Sequence, residues 1–253
     1  MSRKADDVAT FVSVSDFYAG VMKEKMSLPE SKLKSVHIGV DPSDYTFKPV
    51  SEKGRSIGYV SRMCHENGMD ILLDAFILLK RKEGYEDVNL LLTGGSTGDD
   101  KKFLSDARKR IRENGLGSQV EFHEDFEEEG LREFMDKVSM VSVPVRNGEA
   151  FGIYLLECMV SGVPVVQPAL GAFPEIIELS EGGVVYENNT PEELSAALEK
   201  LLNDEAELDR LSRKGKEGVE KHFHIDMQAE RMIKVYEEAV WAVDRGQEAV
   251  HST

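Results

Sequence analysis

The chain has 253 residues, 41% hydrophobic and 31% charged, a globular composition long enough for one large domain or two small ones. Its 31 basic residues against 47 acidic ones leave a formal charge of −16, which excludes the basic footprint that nucleic acid and anionic lipid demand but leaves room for a local phosphate pocket. No stretch approaches the ~20 apolar residues of a membrane span, and the opening Met1-Ser-Arg-Lys-Ala-Asp-Asp7 lacks the apolar run of a signal peptide. The two cysteines, Cys64 and Cys158, fit buried structural roles in a reducing compartment better than a disulfide scaffold, so the expected location is cytoplasmic.

In chain order, the pattern predicts a strand over 8–15, a helix over 16–25 and a short strand over 36–40. A loop with Pro42, Pro49, Ser51 and Gly54 follows, a plausible linker. Two strands and a helix bury too little to stand alone, so residues 1–50 read as the tail of a truncated preceding domain plus linker.

From 51 onward strands and helices alternate. Strands are predicted over 56–60, 88–93, 120–122, 140–145, 163–167 and 183–186, with helices over 68–82, 99–114, 127–138, 151–161 and 173–180. Pro191 opens another helix at its first turn, and two more, about 205–221 and 225–243, finish the chain. Such alternation implies an α/β fold, a Rossmann-like parallel sheet with helices on both faces, over 51–222. Residues 223–253 form a closing helix.

Ligands of doubly wound sheets bind where strand ends lead into helix N-termini. Three such turns carry unusual chemistry. In the first, Arg62 follows a strand end, where its planar fork could reach a diphosphate or simply be a solvated loop arginine. The second, Thr93-Gly94-Gly95-Ser-Thr-Gly98, lacks the spacing of a dinucleotide fingerprint and the lysine of a P-loop, and reads as a tight turn. The third places Glu149 in a loop and a helix start near Phe151. There the N–H groups of Ala150, Phe151 and Gly152 would make an anion site with the helix dipole, and Gly152 keeps the approach clear. Glu157 lies roughly 9 Å further along the axis, the reach from a phosphate to a sugar hydroxyl. As a carboxylate on an otherwise apolar helix it needs a partner, unless it is an ordinary exposed glutamate.

The block Glu149-Ala-Phe-Gly-Ile-Tyr-Leu-Leu-Glu157, followed by Met159-Val-Ser-Gly-Val-Pro-Val165 and Gly171-Ala-Phe-Pro-Glu175, resembles the C-terminal, donor-binding domain of GT-B retaining glycosyltransferases of family 4. Arg62, the segment Gly68-Met-Asp70-Ile-Leu72-Leu73-Asp-Ala75-Phe76 and His37-Ile-Gly-Val-Asp41 continue the resemblance, which runs from about residue 8 to 240. It implies a nucleotide-diphosphate-sugar donor, with no metal or other cofactor expected. Glu157 would hold the ribose hydroxyls, Arg62 and the Phe151 and Gly152 amides the diphosphate, and Glu149 would act catalytically beside the sugar. The loop His123, Glu124, Asp125 and Phe126 would contact the base, and Pro174 and Glu175 would sit near the helix closing the cleft. Asn67 stands where the family usually has Lys, and His123 where it usually has Gly; Arg146 on the neighbouring loop is a candidate replacement cation.

The expected activity is retaining hexosyl transfer, with little or none by this polypeptide without its N-terminal acceptor domain. The final helix, with Trp241, would pack back toward that domain, and its exposed apolar face could drive self-association. A nucleotide-sugar epimerase or phosphorylase is the enzyme alternative, for which no matching segment is present. A degenerate nucleotide-binding or protein-interaction module without transferase activity is the non-enzyme one.

Overall fold

The computed structural model describes residues 5, 7–123 and 128–251. The first unit is β1 (Phe11–Ser13), α1 (Asp16–Met26) and β2 (Leu33–Ser35), with the strands paired in parallel, Phe11 opposite Leu33 and Ser13 opposite Ser35. Ser15 caps α1, its hydroxyl accepting the Tyr18 N–H at 3.1 Å, yet α1 buries no residue fully. This two-stranded sheet is separate from the main one.

The strand expected over 36–40 is displaced. The ladder uses Leu33–Ser35, and Val36 N–H closes it on Ser13 O at 2.8 Å. The following apolar positions serve packing instead of a sheet: Val36 and Val40 are buried, and Val40 forms one isolated bridge with His224.

The main sheet has β3 (Ser56–Val60), β4 (Asn89–Thr93), β5 (Val120–His123), β6 (Met140–Val141), β7 (Val165–Pro168) and β8 (Gly183–Tyr186). All pairs are parallel in the order β5-β4-β3-β6-β7-β8, which makes β3 and β6 the inner strands where the connection order reverses. The strand expected over 140–145 stops at Val141. Beyond it the Val143 N–H is taken by the Gln167 side chain at 3.2 Å, and Pro144 has no N–H to donate.

The helices are α2 (Met69–Lys80), α3 (Lys101–Glu113), α4 (Glu128–Lys137), α5 (Ile153–Val160), α6 (Phe173–Ser180), α7 (Pro191–Leu202), α8 (Glu205–His222) and α9 (Ile225–His251). Helix α2 is the most enclosed, burying Met69, Ile71, Leu72, Leu73, Ala75, Phe76, Ile77 and Leu79 against the sheet and α7. Helix α8 packs on α5 and α6, so the elements carrying the site are backed by a dry layer. The α5 helix begins two residues later than the pattern predicts, because Gly152 occupies the left-handed region at φ 86°. Both cysteines are buried and unpaired. Among the described residues no helix is long and apolar enough to cross a membrane.

Candidate functional site

The loop between β3 and α2 carries Arg62 and Asn67. Tyr59 Oη, at the end of β3, donates to Arg62 O at 2.8 Å and so pins the loop backbone. The Arg62 guanidinium is 47% exposed, 3.3 Å from Glu66 and 3.9 Å from Asp100. Asp100 is itself fixed, its carboxylate accepting Thr97 N–H at 2.7 Å and Thr97 Oγ1 at 2.8 Å, which hold its pKa below the usual carboxylate range. The turn after Gly94-Gly95 therefore delivers a carboxylate that steers Arg62. Asn67 turns inward, its amide donating to Ser61 Oγ at 2.8 Å.

Arg146 does not stand free beside them. Its guanidinium forks onto Asp70 in the first turn of α2, at 2.9 and 2.8 Å, and also donates to His65 O. Its charge is neutralised where the sequence left it a candidate phosphate cation. This bidentate pair ties the β6–α5 loop to the N-terminus of α2.

The loop before α5 holds Glu149 half-buried. Ala172 N–H donates to Glu149 O at 2.9 Å, and Ser15 Oγ donates to Ala150 O at 2.6 Å. A side chain at Gly171 would place its Cβ 2.3 Å from Glu149 N, so this approach requires glycine. Of the three amides expected at the helix start, Ala150 N–H is turned to Glu149 Oε1 at 3.1 Å. The N–H groups of Phe151 and Gly152 engage no hydrogen bond among the described residues. They open α5, where the helix dipole adds partial positive charge. A Cβ on Gly152 would crowd Phe173, Glu149 and Tyr154 at 3.3 to 3.4 Å.

One turn into α5, Glu157 lines a cavity of about 370 Å³ with Asp44, Tyr45, Leu131, Arg132, Met135 and Ser161. Burial pushes the Glu157 carboxyl above its ordinary pKa, opposed by a hydrogen bond from Tyr45 Oη at 3.2 Å. At the far end of α5, Lys53 Nζ donates to Ser161 O at 2.9 Å and caps the helix; burial depresses its pKa to about 8. His123 ends β5 with its ring edge-on to Phe134 at 5.6 Å. Glu124, Asp125 and Phe126 lie outside the described residues. Among the described residues no three His, Cys, Asp or Glu side chains gather as a metal-binding group.

The structure thus brings Glu149, the two amides of α5 and Glu157 onto one helix and its approach loop, with Arg62 and Asn67 on the adjacent β3 loop. Sequence reasoning missed Tyr45, Asp100 and Ser15, and named Asp70 only within its motif, without its pairing to Arg146. Ser15 and Asp100 carried a local signal as helix-capping residues; Tyr45 carried none, since its partner lies 112 residues away.

The pattern of the family described as glycosyl transferases group 1 matches residues 44–218, more than half of the chain. The chain is 26% identical over 202 residues to the lipopolysaccharide core biosynthesis mannosyltransferase LpsB of Rhizobium meliloti, covering 79% of this chain and 53% of the relative. It is 30% identical over 185 residues to the phosphatidyl-myo-inositol mannosyltransferase of Mycobacterium leprae, covering 73% and 46%. The chain therefore spans about half the length of these curated relatives. Among solved structures, HepE of Anabaena in complex with UDP and glucose superposes with a TM-score of 0.79 at 18% identity, over 90% of this chain and 63% of that one. The C-terminal domain of the group 1 family protein LpcC from Francisella tularensis superposes at 0.66 with 23% identity, over 74% of this chain and all of that domain. The chain has the α/β architecture of GT-B glycosyltransferase structures and belongs to the glycosyl transferases group 1 family.

Proposed function

We propose that this chain is the donor-binding part of a family 4 retaining hexosyltransferase: it binds a nucleotide-diphosphate sugar and presents the sugar for transfer with retention of anomeric configuration. The observation that carries the reading is the succession, along one loop and the helix it opens, of Glu149, the unengaged Phe151 and Gly152 amides, and Glu157 at its cavity. In this assignment the ribose hydroxyls meet Glu157, the diphosphate meets the two amides and Arg62, and Glu149 faces the anomeric carbon. A departing diphosphate needs preorganised positive charge, which a helix N-terminus and a guanidinium supply without a metal. Glu149, as a carboxylate, would steady positive charge building on the sugar. HepE, a solved neighbour, holds UDP and glucose, which supports a nucleotide-sugar ligand here.

The segment from β1 to residue 50 is assigned to the end of an N-terminal acceptor domain, and α9 to the helix that returns toward it. Transfer is assigned to a longer protein, since the match covers only 53% and 46% of these two relatives. Calorimetric titration with UDP, GDP and ADP tests the reading. Saturable one-to-one binding of one nucleotide is expected. Absence of binding by all three would favour a degenerate module, a reading whose support is Asn67, an uncharged amide already bonded to Ser61 where the family usually carries lysine.

A further inference from the structure

We infer that Tyr45 is a positioning residue for ribose recognition, its hydroxyl holding the Glu157 carboxylate in the orientation that a ribose diol requires. This rests on the nucleotide reading above and adds to it a residue from outside the sheet domain's strand-end loops.

Tyr45 reaches Glu157 from a segment whose geometry is locally fixed. The Asp41 carboxylate accepts Ser43 N–H at 2.9 Å, starting a single turn over Pro42–Asp44, and Tyr45 N–H closes it on Pro42 O at 3.3 Å. Just before this turn, Val40 is held on both sides, its N–H on Phe223 O and its O on Ile225 N–H, each at 2.9 Å. The tyrosine is thus carried on a braced turn, and its hydroxyl donates to Glu157 Oε1 at 3.2 Å.

Both side chains line the same cavity of about 370 Å³. A carboxylate has about four lone-pair directions, so one hydrogen bond from Tyr45 leaves capacity for two ribose hydroxyls. Glu157 is the acidic group of α5, and burial works against its charge; a fixed donor is what such a group needs to remain a hydrogen-bond acceptor. A phenylalanine would fill the same space and leave that requirement unmet.

The test is a titration of the full chain and its Tyr45→Phe variant with UDP, GDP and ADP, then with the 2′-deoxy form of whichever binds. The wild type should favour the ribonucleotide by about tenfold or more, as expected for a hydrogen bond to a charged group. In Y45F that preference should shrink to about twofold at an unchanged melting temperature, which a purely packing role would not produce. A double-mutant cycle keeps the question decidable if Y45F is itself destabilised: in a Glu157→Gln background the tyrosine change should have no further effect on ribose preference. Full ribose preference retained by Y45F, or equal effects of Y45F with and without Glu157, would overturn the inference while leaving nucleotide binding intact. Failure of the wild type to bind any of the nucleotides would overturn both readings together.

Discussion

His37 and Glu175, 138 residues apart in sequence, meet with 2.6 Å between Nε2 and Oε1. The same carboxylate accepts the first two N–H groups of α1, Asp16 at 2.9 Å and Phe17 at 3.0 Å. One side chain at the start of α6 therefore caps a helix of the first unit and holds the strand-to-linker segment carrying His37. The His37 ring also packs against Phe151 and Phe223, at 6.1 and 5.4 Å between centroids. With Ser15 on Ala150 O, this joins the first unit to the approach loop of α5. Removing the carboxylate leaves two helix donors without their partner. Glu175→Ala should lower unfolding stability by about 2 kcal/mol. The urea midpoint checks it; an unchanged midpoint would show that the clasp contributes nothing.

Lys53 provides a pH signature. Its folded pKa is about 8 against an ordinary 10.5, so the native state releases its proton first and the unfolded chain holds more protons between these values. Stability from this group therefore rises with pH across that window, by about 3 kcal/mol when complete. The stability difference between wild type and Lys53→Met, followed by urea unfolding, should shift in favour of the wild type from pH 8 to 10.5. A difference independent of pH would contradict the burial argument.

Arg146 is predicted to act in structure. The bidentate pair with Asp70 should show a coupling energy of about 1–2 kcal/mol in a cycle with Arg146→Ala and Asp70→Ala. Arg146→Ala should leave nucleotide affinity within about threefold, because its charge is already neutralised. A tenfold or greater loss of affinity at preserved stability would restore it as a phosphate ligand.

Gly152 sits at φ 86°, where an L side chain is strained, and its neighbours leave little room. Gly152→Ala should cost about 1–2 kcal/mol of stability through the backbone alone. It should also weaken nucleotide binding by about tenfold through displacement of the amides that open α5. Calorimetry and thermal unfolding of the same sample separate the two effects.

Much of the sheet domain was legible from the sequence for local reasons. The limits of β3, α6 and β8 match the apolar runs between their breakers, and the alternation of elements carries the parallel order. Where the pattern misled, a specific competitor won. Pro144 and the Gln167 side chain end β6 early, and Val36 and Val40 spend their apolar faces on packing after the β2 ladder has closed. The motif Glu149–Glu157 placed the candidate site on one helix and its approach loop, but the supporting contacts are long-range pairs without periodicity. Tyr45 on Glu157 and Ser15 on Ala150 join positions 112 and 135 apart, and Arg146 found Asp70 at a distance of 76. Sequence could place Arg146 in its loop; only the fold shows that its charge is taken.

In the proposed complex a nucleotide binds with its ribose on Glu157. Titration of wild type and Glu157→Ala with the nucleotide selected from UDP, GDP and ADP tests it most directly. Saturable binding by the wild type and at least a tenfold weaker affinity in the variant are expected, at comparable melting temperature. Equal affinity of the two proteins would contradict it.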